Sequence, residues 1–301
     1  MSEGSFAALE LRRIPGLALD AAAEDFSSAY RPHDTAAQID QLQAWRGDRQ
    51  VGLLGLEWSA GGNVWLWGPE TNEGEQEADR IARFLLDAAN REIDRQEVRV
   101  AQVLLDPKQH REAGWFAACG YDCTIRLEFL VCVIAPHAAV AAPLPSGICE
   151  MVPYDEENRE TFAQTLMDSA EESFDCVALG RWGEPDRVLA DFQSVGAAER
   201  DLWMRLRVAG EDVGCLLLRN HRDTASLEIV YLGVIPSFRR RSLGREAVSF
   251  ALDQANRLGC RQVTVAVDLQ NMPARALYGS FNFVTFGEKQ ALMRGVPPLE
   301  G

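Results

Sequence analysis

The chain has 301 residues and a formal net charge of −15 at pH 7, with 45 Asp and Glu against 30 Lys and Arg. This acidic balance argues against a nucleic-acid partner, because nucleic-acid phosphates would be repelled. No apolar run approaches the roughly 20 residues of a membrane-spanning helix, and the first residues lack a basic end with an apolar core, so we expect neither a membrane span nor a signal peptide. The seven scattered cysteines favour reduced thiols in the cytoplasm. Cys119 and Cys123 lack further ligands at metal spacing, so we predict no metal site.

The length predicts two domains, each with enough apolar residues for its own core. We place the first domain at residues 1–135, a linker at residues 136–146 and the second domain at residues 147–301. The linker is distinguished by small residues and prolines in place of charged ones. In the first domain, strands are expected near five apolar positions: Leu9, Val51, Val64, Val98 and Ile125.

The second domain is predicted to begin with a strand, helices and a hairpin. The strand covers residues 147–152, a helix covers 155–169, and a polar helical stretch continues to about residue 195. Two antiparallel strands at 202–208 and 213–218 enclose a turn at Gly210-Glu-Asp. The remaining elements are, in order, an apolar strand at 227–235, a helix at 243–258, an alternating strand at 262–268, a short helix, and terminal strands to Met293.

A basic turn joins the apolar strand to the helix that begins at residue 243. It contains Pro236, the run Arg239-Arg240-Arg241, Ser242 and Gly244. The first N–H groups of a helix lack intrahelical acceptors, and the helix dipole adds positive potential there. Arginine supplies forked donors that suit phosphate oxygens. The turn therefore predicts a pyrophosphate site, although the glycine patterns of P-loops and dinucleotide folds are absent.

Two motifs resemble the GNAT superfamily of acyl-CoA-dependent N-acyltransferases. Arg239-x-x-Ser242-x-Gly244 is similar to the family's Gln/Arg-x-x-Gly-x-Gly/Ala signature, with Ser242 in place of a glycine. Residues 271–283 are similar to its Asn-x-x-Ala-x-x-Leu-Tyr-x-x-x-Gly-Phe element, with Asn282 in place of a glycine. Serine incurs a steric cost if its φ is positive, whereas asparagine tolerates a left-handed turn. The resemblance covers residues 146–294 and implies an α/β fold, a mixed and mostly antiparallel sheet flanked by helices.

The resemblance also implies an acyl-CoA co-substrate, acetyl-CoA in the first instance. Its pyrophosphate would lie on the basic turn and its pantetheine arm along the apolar strand, whose backbone groups would polarise the thioester carbonyl. Asn271 would either bond the pantetheine or cap the following helix. The residues implied in cofactor binding are Leu232, Val234, Ile235, Arg239, Arg240, Arg241, Ser242, Leu243, Gly244, Arg245 and Asn271.

Two side chains are implied in proton transfer. Tyr278 is the expected general acid for the departing thiolate, and the alternative is that its ring only packs. Glu228 is the expected general base, because Glu-Ile-Val-Tyr-Leu-Gly-Val resembles the corresponding strand of histone-acetylating members; an exposed strand carboxylate is the alternative. His221 is expected at the surface of a polar turn, and residues 168–195 are expected on the acceptor side.

The first half of the chain repeats the second at the scale of a domain. Asp106 and Phe116 stand where Asp268 and Tyr278 stand in the second half, but phenylalanine has no proton to give. Five carboxylates between residues 68 and 79 replace the basic turn and would repel a pyrophosphate. We therefore predict two tandem GNAT-like domains, of which the first is degenerate and binds no cofactor. Its tryptophans are predicted to pack, or alternatively to line the pocket of another ligand: Trp58, Trp65 and Trp67.

The sequence is thus interpreted as an N-acetyltransferase that moves an acetyl group from acetyl-CoA to a primary amine by direct transfer in a ternary complex. The sequence does not determine the acceptor, and the candidates are a protein N-terminus, a lysine, a polyamine, an aminoglycoside and an amino acid. Similarity of plan to mycothiol synthase adds an amino-sugar conjugate. A non-catalytic CoA-binding or scaffold protein is the alternative class. We expect a small-molecule or peptide amine as partner, and the paired domains, as a pseudo-dimer, are compatible with a monomer.

Overall fold

The computed structural model describes residues 8–18, 38–134, 149–175, 184–194 and 197–295. The chain divides into two compact units, one of Met1–Thr124 with Gln290–Gly301 and one of Ile125–Lys289. These units differ from the predicted division because strands are grouped by their hydrogen-bond partners and not by nearness along the chain. The predicted linker, residues 136–146, lies outside the described residues.

The first unit is an antiparallel series of strands followed by a parallel crossover. Its elements are β1 (Glu10–Ala18), β2 (Gln38–Arg46), β3 (Arg49–Trp58), β4 (Asn63–Glu70), α1 (Glu75–Ile93), β5 (Val100–Leu105), α2 (His110–Ala118) and the end of β12 (Val284–Gly295). Neighbours from β1 to β4 are antiparallel, β4 and β5 are parallel, and β5 pairs antiparallel with Gln290–Gly295 of β12. The sequence did not reveal β2, because buried polar residues such as Gln41 and Gln43 interrupt its apolar pattern.

The core of the first unit lies between α1 and the sheet. Ile81, Leu85 and Ala89 follow each other at intervals of one helical turn and are completely buried. The helix packs closely, since a Cβ at Gly52 of β3 would collide with the Ile81 side chain. This close contact explains why β3 carries a glycine in an otherwise apolar run.

The second unit contains the remaining strands and helices. Its elements are β6 (Cys123–Val133, from Ile125 onward), β7 (Glu150–Pro153), α3 (Arg159–Ala170), α4 (Pro185–Ser194), β8 (Trp203–Val208), β9 (Glu211–His221), β10 (Ser226–Val234), α5 (Leu243–Arg257), β11 (Gln262–Asp268), α6 (Met272–Gly279) and the start of β12. The strand order is β12-β6-β11-β10-β9-β8-β7. The β10–β11 pair is parallel, whereas the β6–β11, β9–β10, β8–β9 and β7–β8 pairs are antiparallel.

Helices cover both faces of this second sheet. On one face α5 and α6 bury Leu243, Ala247 and Tyr278 against β10 and β11. On the other face α3 and α4 bury Phe162 and Leu189 against β8 and β9. The predicted α/β class, with a mixed and mostly antiparallel sheet flanked by helices, is confirmed. No helix among the described residues is long and apolar enough to cross a membrane.

Two local predictions are corrected. The hairpin turn lies at Ala209 and Gly210, both with positive φ, and β9 begins at Glu211 rather than at residue 213. The helix predicted from residue 155 begins at Arg159, because the Asp155 side chain accepts a hydrogen bond from the Asn158 N–H and first forms a 3₁₀ turn over Glu156–Asn158.

Candidate active site

The second unit contains a fork between its two parallel strands. β10 and β11 pair only over Ser226–Ile229 and Gln262–Val265. Beyond that point β10 stays paired with β9 as far as Val234, while β11 stays paired with β6 as far as Asp268. Pro236 follows immediately and has no N–H with which to continue a ladder. The strands therefore separate and leave a wedge-shaped opening between their carboxyl ends.

A cavity of about 860 Å³ occupies this fork. One wall is β10 from Val230 to Val234, and the opposite wall includes Ala266 and Asp268 of β11. The start of α5 closes one end, and the first residues of α6 contribute to the lining. The volume falls within the range of pockets that hold cofactors and substrates.

The basic turn at the mouth of the cavity has a left-handed backbone. Arg240 has a φ of 60° and Ser242 a φ of 65°, and Ser242 is the residue from which α5 begins. The Glu246 N–H bonds the Ser242 carbonyl at 3.1 Å, so the amides before Glu246 are the ones that lack an acceptor inside the helix. Arg240, Ser242, Leu243, Gly244 and Arg245 all line the cavity. These left-handed residues and unpaired amides are the groups on which the predicted anion site depends.

The side chain of Arg239 does not have the predicted role. Its Nε donates to the Val234 carbonyl at 2.9 Å and its Nη1 to the Glu172 carbonyl at 2.9 Å. Its Nη2 donates to the carbonyls of Ser169 and Glu171 at the end of α3. Arg239 lines the cavity, but its guanidinium fastens the end of α3 to the end of β10 instead of facing a phosphate.

Arg241 is a second correction. Its Nη2 donates to the Ser237 carbonyl at 3.0 Å and its guanidinium lies over the Phe238 ring, and it is outside the described residues that line the cavity. Arg245 remains at the cavity, where its Nη1 donates to Ser280 Oγ at 2.7 Å. Of the four arginines predicted to bind the cofactor, Arg240 and Arg245 keep side chains that are exposed at the cavity.

The backbone of β10 offers fewer groups to the fork than predicted. The Ile235 N–H bonds the Val213 carbonyl of β9 at 2.9 Å, and Ile235 is outside the described cavity lining, so its predicted role is corrected. Because strand residues alternate between their two neighbours, Leu232 and Val234 direct their N–H groups toward the fork. The Val234 carbonyl is already taken by Arg239.

Tyr278 lies in α6 and is buried to 5% exposure, with its ring centroid 5.4 Å from that of Phe283. Burial holds the pKa of its phenol well above the usual value, and the charge of Asp175 raises it further. The residue therefore carries its proton at physiological pH, as a general acid must. Tyr278 is outside the described residues that line the cavity, whereas its neighbour Leu277 is among them.

A second tyrosine, which the sequence analysis missed, lines the cavity itself. The Tyr231 hydroxyl lies 2.8 Å from Ser169 Oγ at the end of α3. A Cβ at Gly233 would collide with this hydroxyl, so the glycine makes room for it. Burial raises the pKa of Tyr231, and the hydrogen bond between Tyr231 and Ser169 partly offsets that effect. The Tyr-x-Gly spacing in β10 was the available signal.

Glu228 is paired with His221, which corrects the expectation that this histidine lies at a loop surface. His221 is the last residue of β9, and its Nε2 lies 2.8 Å from Glu228 Oε2. The two side chains are 15% and 22% exposed. Glu228 lies in the part of β10 that is paired with β11, one residue before Ile229, the last residue of that pairing. It is outside the described cavity lining.

Asn271 and Asp175 meet at the carboxyl end of β11. Asn271 Oδ1 accepts a hydrogen bond from the Ala274 N–H at 3.1 Å, which confirms the helix-cap role. Asp175 Oδ1 accepts one from the Asp268 N–H at 3.2 Å and also bonds the Asn271 side chain. Both residues line the cavity. Of the predicted acceptor segment, residues 176–183 lie outside the described residues.

The first unit repeats this geometry with different chemistry. The rings of Phe116 and Tyr121 lie 5.1 Å apart, like those of Tyr278 and Phe283, and the loop residues Gly120 and Asn282 both have positive φ. Three of the five carboxylates of the acidic stretch form ion pairs with arginines, as Glu73–Arg49, Glu77–Arg46 and Asp79–Arg111. The indoles of Trp58 and Trp67 donate to Asp40 and Glu57. Throughout the described residues, no group of three or more metal-ligating side chains occurs.

Comparison with known proteins identifies the same region. Residues 162–283 match the family model of the acetyltransferase (GNAT) family. N-alpha-acetyltransferase MAK3 from Arabidopsis thaliana is 34% identical over 77 residues, which make up 25% of this chain and 40% of that protein. The chain thus spans about 40% of the length of this curated relative.

Two solved structures resemble the chain over nearly its whole length. A GCN5-related N-acetyltransferase from Sphaerobacter thermophilus has a TM-score of 0.61 at 12% identity, covering 94% of this chain and 87% of that one. A tandem GNAT protein from the clavulanic acid biosynthesis pathway has a TM-score of 0.58 at 15% identity, covering 97% and 100%. At these identities the likeness concerns the fold.

Proposed function

We propose, from the match of residues 162–283 to the acetyltransferase (GNAT) family, that this chain transfers an acetyl group from acetyl-CoA to a primary amine by direct transfer in a ternary complex. The family match supports acyl transfer. The proposal adds the acetyl donor, the amine acceptor and the direct route. The observation that carries it is the fork between β10 and β11, which shares one cavity with the left-handed basic turn of α5.

The residues at the fork fit an acyl-CoA. The amides that precede Glu246, with the exposed side chains of Arg240 and Arg245, would hold its pyrophosphate. The N–H groups of Leu232 and Val234 would hold its amide-bearing arm, which pairs with a strand edge as a peptide does. Gly244 permits close packing here, because an added Cβ would lie 3.1 Å from a Leu277 methyl group. Bound in this way, the co-substrate supplies an activated acyl group.

The protein then contributes position, polarisation and proton transfer. Orienting the amine beside the acyl carbonyl removes much of the entropic barrier. An N–H of β10 directed into the fork would stabilise negative charge on the acyl oxygen. Tyr278 Oη would supply a proton to the leaving sulfur, and Glu228, oriented by His221, would take a proton from the amine.

Six free cysteines among the described residues support the proposed cytoplasmic location.

Calorimetry with acetyl-CoA tests the proposal. Reversal of charge in Arg240→Glu and Arg245→Glu should each weaken binding about tenfold, because a charge-assisted hydrogen bond is lost and a repulsion is added. Arg257→Glu is the matched control, since Arg257 lies at the other end of α5 in an exposed ion pair with Asp253. Binding that is unchanged in the double variant would contradict the assigned pyrophosphate site.

A non-catalytic CoA-binding protein is the second candidate. It is favoured by one observation, that Tyr278 is buried and is outside the described cavity lining. Such a protein would bind acetyl-CoA in the same calorimetric experiment but would release no thiol when primary amines are added.

A further inference from the structure

Asp175 belongs to the loop after α3 but reaches the opposite wall of the fork. It lines the cavity, and its Oδ1 accepts the Asp268 N–H at 3.2 Å. That N–H belongs to the last residue of β11, beyond the point where β10 separates from it. A carboxylate is therefore held at the open end of the fork.

No cation balances this carboxylate within the described part of the chain. Burial raises the pKa of Asp175, hydrogen bonds from Asn271 and the Asp268 N–H lower it, and the Asp268 charge raises it again, with a net rise. A half-buried carboxylate without a counter-ion is costly to keep ionised, and a cation that enters the cavity would relieve this cost. The site is thus prepared for a positive group.

We propose that Asp175 binds the ammonium group of the acceptor, so that this protein takes amines that arrive as cations. The inference rests on the proposed function, since it names the acceptor class for that same cavity. The position suits the chemistry, because Asp175 and Tyr231 line the same cavity. The net charge of −15 would draw such cations to the protein.

Titratable groups face Asp175 from each neighbouring element. Asp268 belongs to β11, Tyr231 to β10 and Tyr278 to α6, while Glu172 belongs to the same loop and lines the same cavity. Both phenols stay protonated, because burial raises the pKa of each. Ammonium binding should accordingly weaken in acid, and should do so at a higher pH than an ordinary aspartate would dictate.

The test compares n-butylammonium chloride with its uncharged analogue n-butanol, titrated into the full chain and followed by NMR at neutral pH. The wild type should bind the ammonium at least about tenfold more tightly than the alcohol, as expected for one charge-assisted contact. In Asp175→Asn, which keeps a hydrogen-bond acceptor for the Asp268 N–H, this preference should fall to about twofold or less. Glu172→Gln, an exposed carboxylate of the same cavity, is the matched control and should keep the preference.

Equal affinity for the two probes in the wild type, or a preference that survives in Asp175→Asn, would overturn the inference. Acetyl-CoA binding and thiol release, measured on the same samples, separate it from the proposed function. If neither occurs while the ammonium preference holds, the proposed function fails and the Asp175 site stands. If acetyl-CoA binds and reacts while the preference is absent, the proposed function stands and the Asp175 site fails.

Discussion

Two tyrosines lie close to the fork, and they differ in ways that decide which can act on a leaving thiolate. Tyr278 is buried and is outside the described cavity lining, whereas Tyr231 lines the cavity and its hydroxyl is hydrogen-bonded with Ser169. Both phenols are protonated at physiological pH, because burial raises the pKa of each. Protonation state therefore does not show which tyrosine is the general acid. Removing each hydroxyl in turn can distinguish them.

Replacing Tyr278 by phenylalanine should lower kcat about 10²-fold or more and leave acetyl-CoA affinity within about twofold, since the lost group acts only on the leaving sulfur. Tyr231→Phe is the matched control, because it removes a hydroxyl that is already engaged by Ser169. Steady-state kinetics and calorimetry provide both quantities. A larger loss of kcat in Tyr231→Phe than in Tyr278→Phe would assign the acid to Tyr231 instead.

The raised pKa of Asp175 in the folded chain should also affect the stability of the fold. Between the pKa of the unfolded chain and that of the folded chain, the folded state binds more protons, so stability falls as the pH rises through this range. At neutral pH the ionised Asp175 therefore destabilises the fold. Asp175→Asn should raise Tm by about 1–4 °C at neutral pH, and the gain should vanish as the pH falls toward the ordinary range of aspartate.

Thermal unfolding monitored by circular dichroism at a series of pH values checks this prediction. Glu172→Gln, in the same loop but exposed, is the control and should change Tm little. A lower Tm for Asp175→Asn at neutral pH would show that the hydrogen bonds of the carboxylate outweigh its burial.

At the scale of elements, Arg239 joins three of them. Its donors reach the carbonyls at the end of α3 and of β10, and Arg239 itself precedes α5. A guanidinium at the carboxyl end of a helix satisfies orphan carbonyls and complements the dipole. The relative position of α3 and the fork, and with it the place of Ser169 and Tyr231, thus depends on this side chain.

Arg239→Lys should lower the free energy of unfolding by about 1–3 kcal/mol, because an ammonium cannot replace a planar guanidinium that donates to several carbonyls. Arg241→Lys provides the comparison, since the exposed Arg241 makes a single hydrogen bond to Ser237, and its effect should stay within about 0.5 kcal/mol. Urea unfolding of both variants gives the values. Equal losses would mean that Arg239 is an ordinary surface arginine.

The same elements show what the sequence could and could not reveal. Motif spacing located the basic turn and α6, and it anticipated the left-handed Ser242 and Asn282, because backbone conformation is a local property. Ser169, which is bonded by both Arg239 and Tyr231, lies in α3 more than sixty positions earlier in the chain, and no local pattern encodes these contacts. The local sequence also does not show where the fork opens, which is after Ile229, next to an irregularity in the β9–β10 register.

At the scale of the whole molecule, the predicted domain boundaries and the compact units assign two strands differently. β6 pairs with β11 from Leu127 to Val133, and Gln290–Gly295 of β12 pairs with β5. Separation of the chain at residues 135 and 147 would therefore leave β11 and β5 with unpaired edges. Bare strand edges favour aggregation.

Residues 147–301, expressed alone, should be largely insoluble, and co-expression with residues 1–135 should restore soluble protein. The soluble fraction after lysis measures this, with the full chain as the reference. A soluble, monomeric and cooperatively unfolding 147–301 fragment would show that the strand β6 is dispensable for the second sheet.

The division of β12 has a consequence for the order of biosynthesis. Domains usually fold as they leave the ribosome, the amino-terminal one first. Here the first unit includes Gln290–Gly295, which the ribosome adds after all the other described strands of both units. The β5 edge cannot be covered until those strands have been synthesised, so a nascent chain that stops before residue 290 would present an open β5 to chaperones and proteases.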